Sequence, residues 1–163
     1  MSARFDSFFE WLMKWEGEVY ENDPDDQGGE TKYGIDKVSH PGVDIRSLTR
    51  DRAKEIYRRD YWGAVKADSL PGQLDWIIAD IAVNNGKARA IKWLQKALGV
   101  PADGILGNQT LSAAISAGNN VCADVLRQRE DFYRSIARGG MAKFLKGWLN
   151  RNNDLAKVTG IAL

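Results

Sequence analysis

The chain has 163 residues, 44% hydrophobic and 28% charged, enough for one ordinary globular domain with a real core. Its 23 basic and 22 acidic residues leave a net charge of +1, which excludes a nucleic-acid binder driven by a broad basic field. A single cysteine, Cys122, excludes an internal disulfide framework, and with one histidine, His40, there is no cluster to hold zinc and no Ser-His-Asp arrangement.

In chain order, the first pattern is an amphipathic helix. Phe5, Phe8, Phe9, Leu12 and Trp15 recur at the three-and-four spacing of one helical face. Glu16 falls on that same face, in the last turn, with Gly17 placed to cap the helix. The carbonyl end of a helix disfavours a negative charge, and partial burial does the same. Both favour the protonated carboxyl that a general acid requires. The N-terminal stretch is not a secretion signal, because Asp6, Glu10 and Lys14 interrupt its apolar residues. No transmembrane span is present, so stable membrane insertion is not expected.

After Gly17 the helical period stops. Asp23-Pro24 and Asp25-Asp26 are turn chemistry, Gly28-Gly29 permits a tight reversal, and Thr31, Tyr33 and Ile35 alternate as in a short strand. A helix end followed by a small β element can bring Asp25 or Asp26, and Thr31, back toward Glu16. A second carboxylate and a hydroxyl facing a protonated acid is the layout for glycoside hydrolysis. Asp23, Asp25 and Gln27 before Gly28 echo the start of a calcium loop, but Gly34 stands where its terminal acid belongs, so no metal site is expected.

Residues 35–48 read as a loop. Thr49 is placed to cap a helix reaching about residue 61, with Ala53, Ile56 and Tyr57 inward. Ser69-Leu70-Pro71 is expected to begin the next helix, whose apolar face carries Leu74, Ile77, Ile78, Ile81, Ala82 and Asn85. Asn85, on the apolar side, needs partners, and Asn84 is a candidate cleft residue. A helix over 87–98 stops at Gly99. Asp103-Gly104 opens a connector, and Asn108 is expected to cap a helix over 109–117. The helix over 120–137 has Val121, Val125, Phe132 and Ile136 inward, Cys122 as an inert thiol, and Arg127, Arg129, Arg134 and Arg138 on solvated faces. A last helix ends near Asn152, with a frayed tail to Leu163. The six Trp suit either core packing or stacking on sugars.

The motif E-G-x-x-Y…D-P-x-D-x-G-G-x-T-x-x-G-I over residues 16–35 resembles the signature of glycoside hydrolase family 108, N-acetylmuramidases that include phage and prophage endolysins, related in fold to phage lysozymes. Glu16 matches the family's catalytic glutamate. Asp23-Pro24, Asp26, Gly28, Gly29, Thr31, Gly34 and Ile35 match the rest. Glu18 departs from it, standing where the family has a glycine. By this alignment Asp26 is the second acid, whereas the spacing of phage lysozymes selects Asp25 with Thr31, so both stay candidates. The segments A-V-N-x-G at Asn84 and L-Q…D-G-x-x-G-x-x-T at 94–110 also resemble the family, the latter its peptidoglycan-binding-like part.

The resemblance implies a mainly α, lysozyme-like α+β fold, with a helical bundle and a small β-hairpin beside the catalytic helix. It implies a single domain over 1–163, its catalytic part at 1–70 and its helical, peptidoglycan-binding-like part at 71–163. It further implies a muramidase that cleaves the β-1,4 bond between N-acetylmuramic acid and N-acetylglucosamine. Glu16 would be the acid, assisted by Asp26 or Asp25 and by Thr31, with Tyr33 and Asn84 binding substrate and no cofactor. The expected form is a monomer acting on peptidoglycan glycan strands. It would be made in the bacterial cytoplasm and reach the wall by a holin-type route. A lytic transglycosylase and a non-enzymatic wall-binding protein are the alternatives.

Overall fold

The computed structural model describes residues 3–22 and 29–163. The first helix, α1 (Ala3–Glu16), forms where the aromatic spacing places it, and Phe5, Phe8, Phe9 and Leu12 are all fully buried. Gly17 ends it with φ +75°, its N–H donating to Met13 O at 3.0 Å. The chain then returns as an antiparallel hairpin, β1 (Thr31–Lys32) and β2 (Ile35–Asp36). The sequence predicts one alternating strand through Thr31, Tyr33 and Ile35. Instead it folds back at Tyr33-Gly34, where φ values of +54° and +72° make the two-residue turn whose twist matches a hairpin. Glu21 adds a further rung, pairing with Thr31 through two backbone hydrogen bonds of 2.8 and 2.9 Å.

The helix α2 (Arg50–Tyr57) starts as expected, with the Thr49 hydroxyl accepting from Arg52 N at 3.2 Å. It continues as a π-turn over Arg58–Trp62. Tyr57 packs on Phe9 of α1, their rings 6.0 Å apart.

By its internal packing the chain divides into two compact units, Met1–Asp60 and Tyr61–Leu163. The second holds α3 (Leu74–Asn85), α4 (Lys87–Leu98), α5 (Asn108–Ala117), α6 (Cys122–Ile136) and α7 (Leu145–Thr159). Helix α3 is buried along most of its length and packs on α4 and α6, while α6 packs on α7. Among the described residues no helix is long and apolar enough to cross a membrane.

Several boundaries differ from the sequence reading. Ser69-Leu70-Pro71 does not start α3, because Gly72 turns the chain at φ +57° and the helix begins at Leu74. Its entry is served from afar, with Asn119 Oδ1 accepting from Gln73 N at 2.9 Å. Asn108 is the first residue of α5 rather than its cap, which is Gly107, with no side-chain cap bond. The C-terminus does not fray at Asn152, since Leu155 and Ala156 are buried and carry α7 to Thr159, where Gly160 caps it at φ +71°. Arg129, expected on a solvated face, is fully buried, because its partner Asp80 lies inside α3.

Candidate active site

The geometry around Glu16 is built by three elements of the first unit. Helix α1 delivers the carboxylate at its C-terminal end, where the residue is half-buried. The hairpin delivers Gly34, and α2 delivers Tyr57. A Cβ placed on Gly34 would stand 2.7 Å from Glu16 Oε2 and 2.5 Å from the Tyr57 hydroxyl. The two oxygens are therefore no farther apart than those two lengths laid end to end. Tyr57 is buried, and its hydroxyl donates to the Tyr33 carbonyl at 2.9 Å, which fixes the turn. Sequence reasoning placed Tyr57 only on the inner face of its helix. A hydroxyl on an otherwise apolar face, which must find an acceptor when buried, was the available signal.

Thr31 is half-buried in β1, its hydroxyl reaching Gly29 O at 3.4 Å. Tyr33 is half-buried at the turn, with the Lys32 ammonium 5.4 Å from its ring centre. Asp25 and Asp26 lie outside the described residues, as does Asp23. The described ends of their interval are tied together, by the Glu21–Thr31 pair and by the Tyr20 hydroxyl donating to Glu30 at 2.7 Å.

Glu18, the departure from the motif glycine, also has partners. Arg50 Nε donates to it at 3.0 Å, while Nη1 and Nη2 bind Glu10 at 3.0 and 2.8 Å. The chain just after Glu16 is thus linked to α1 and to the start of α2. The hydrogen bonds from Arg50 hold the Glu10 carboxyl below its ordinary value.

Asn84 and Asn85 belong to the second unit and join a buried charge cluster. Asp80 Oδ1 accepts from Arg151 Nη2 at 2.6 Å, and Oδ2 from Arg129 Nη1 at 2.7 Å. Burial raises the Asp80 pKa, but the two guanidinium groups outweigh it and hold the carboxyl below 3.8. In the amide orientation its neighbours demand, Asn84 Oδ1 accepts from Arg129 Nη2 at 3.1 Å and Arg151 Nε at 3.2 Å. Asn85 Oδ1 accepts from Arg129 Nε at 3.1 Å and the Tyr133 hydroxyl at 3.2 Å. The partners that Asn85 needs are thus side chains of α6.

The 94–110 motif is a hydrogen-bonded knot. The amide of Gln95, 1% exposed, donates to Asp103 at 2.7 Å, Thr110 at 3.0 Å and Ile105 O at 3.0 Å, and accepts from Gly104 N at 2.9 Å. That is the connector role expected of it.

Residues 9–86 match the family model described as Glycosyl hydrolase 108, and residues 89–153 match the one described as Predicted Peptidoglycan domain. Together with a helix-end carboxylate set against a hairpin turn, these matches define a peptidoglycan hydrolase, a glycosidase that acts on cell-wall polymer. SagA of Brucella abortus has a similar structure, with a TM-score of 0.84 and 31% identity over 96% of this chain and 93% of that one. The chain belongs to glycosyl hydrolase family 108. No curated protein matches it.

Proposed function

We propose that the protein is an N-acetylmuramidase that hydrolyses the β-1,4 bond between N-acetylmuramic acid and N-acetylglucosamine. The observation that carries this reading is the approach of Gly34 and Tyr57 to Glu16, which fixes one carboxyl where a helix ends and a hairpin turns. Glu16 gives its proton to the departing glycosidic oxygen. Asp25 or Asp26, with Thr31, directs water to the anomeric carbon or stabilises the positive charge that develops on the sugar. The water oxygen bonds to that carbon, and its proton passes to the second carboxylate where that group directs the water, or to Glu16, by then deprotonated, where the second group stabilises the sugar cation. Tyr33 and Asn84 contact substrate in this reading.

Turbidity clearing of peptidoglycan by wild type and by Glu16→Gln tests it, with folding of both checked by circular dichroism. A general acid contributes on the order of 100-fold to 10,000-fold, so the folded variant is expected to lose clearing by that measure. A folded variant that clears at the wild-type rate removes Glu16 from the mechanism. Asp25→Asn and Asp26→Asn resolve the second acid. One is expected to lose about 100-fold or more and the other only a few-fold. Mass spectrometry of the digest should show reducing ends that have gained water, and anhydro ends would mean transglycosylation instead.

A further inference from the structure

A pocket of about 720 Å³ opens in the second unit where α3 meets α4. Its cations are Lys87, Arg89, Lys92 and Lys96, all exposed, and none of the described residues lining it is acidic. Asp103 is the acid whose charge reaches Lys92, and its carboxylate is already engaged by Gln95 and by Ile105 N. Arg89 is held rather than loose, its guanidinium 4.3 Å over the Phe132 ring and its Nη1 donating to Asn85 O at 3.4 Å. Asn85 lines the pocket with its side-chain oxygen already taken by Arg129 and Tyr133, which leaves the NH2 end as its donor. Behind Asn85, buried Arg129 and Arg151 both pair with Asp80. Four cations around one opening, one of them held in place, beside an amide donor and with no acid in the described lining select for an anion.

We infer that this pocket binds the carboxylates of the peptide stems of peptidoglycan. The inference rests on peptidoglycan being the substrate. It follows from the polymer's chemistry, since the muramic lactyl carboxyl is amide-bonded to the stem, which leaves the substituted glycan strand neutral and puts its negative charge on the stems. Arg89, Lys92 and Lys96 also lie within the stretch that matches the peptidoglycan domain.

The test titrates the chain with two soluble probes, a disaccharide-tetrapeptide and the same disaccharide with its muramic lactyl carboxyl capped as the simple amide in place of the peptide. It is repeated with the folded double variant Lys92→Glu/Lys96→Glu, neither residue of which makes a described ion pair. The peptide-bearing probe is expected to bind wild type about tenfold more tightly than the bare one, and the double variant to abolish that preference. Backbone amide shifts at Ala88–Trp93 should report the peptide-bearing probe alone. Equal binding of the two probes, or a preference that survives the charge reversal, overturns the inference. So does a glycerol-phosphate oligomer that binds wild type more tightly than the tetrapeptide probe, because it moves the anion from carboxylate to phosphate. None of these readouts needs turnover, so a wild type that fails to clear sacculi would count against the muramidase reading alone.

Discussion

An alanine at Gly34 would push a methyl group into Glu16 and Tyr57 while holding a backbone of φ +72° that side chains rarely adopt. Strain of that kind costs about 1–3 kcal/mol. The collision adds to it by moving the carboxyl itself. Gly34→Ala is therefore expected to cost more in a urea titration than Gly99→Ala, which has a similar φ of +69° and nothing within 4 Å of the added carbon. Clearing should fall at least about tenfold for Gly34→Ala, the scale on which displaced catalytic groups lose rate. A Gly34→Ala enzyme as active as wild type would mean that the hairpin turn does not hold Glu16. The glycine was legible in the sequence as part of a motif. Its reason was not, because the three residues that meet there come from three elements.

At the scale of elements, Gln95 fastens α4 to α5 through the loop between them. Gln95→Leu keeps the bulk but strands the buried Thr110 hydroxyl, at roughly 1–3 kcal/mol, while Asp103 is exposed and can turn to water. A loss of about 1–3 kcal/mol in urea unfolding is the expected result, and a change below about 0.5 kcal/mol would show the knot to be incidental. The periodicity of α1 and the caps at Gly17, Thr49 and Gly99 could be read directly, since local rules set them. The end of α7 could not, because Leu155 and Ala156 are helical by virtue of what buries them. Arg129 looked like a surface charge for the same reason. A fixed spacing along one helix says nothing of an aspartate 49 residues away in sequence. The turn at Tyr33-Gly34 was missed because alternation over so few residues fits a strand and a hairpin equally.

At the scale of the whole molecule, the family seam and the structural seam do not coincide. The hydrolase match runs to residue 86, while the compact unit that contains α3 begins at Tyr61. A fragment of residues 1–88 would keep α3 and discard the α4, α6 and α7 segments of its own unit. Leu74, Ile77, Ile78 and Ile81, all fully buried, would be uncovered. Such a fragment is expected to aggregate or to lack the cooperative unfolding of the full chain, as scanning calorimetry would show. Asp80→Asn probes the same dependence more finely. It leaves fully buried Arg129 without its anion, a loss of about 3–5 kcal/mol when one partner of a buried pair is removed. Because the Asp80 carboxyl is held below 3.8 in the fold, its contribution is present above that value and is lost as pH falls through the folded value. The gap in urea midpoint between wild type and Asp80→Asn should therefore be wide at about pH 7 and narrower at about pH 3.

The Asp80–Arg151 pair also sets a schedule for synthesis. The two residues are 71 positions apart, and Arg151 lies in the last helix. At translation rates of about 5–20 residues per second, the ribosome takes roughly 4–14 s to supply the second arginine after the aspartate. For that interval the nascent chain carries an acidic group within its most apolar helix with no complete counterpart. The second unit closes only once Arg151 has been made, so a chain stalled before residue 151 is left with an open core for proteases and chaperones to find.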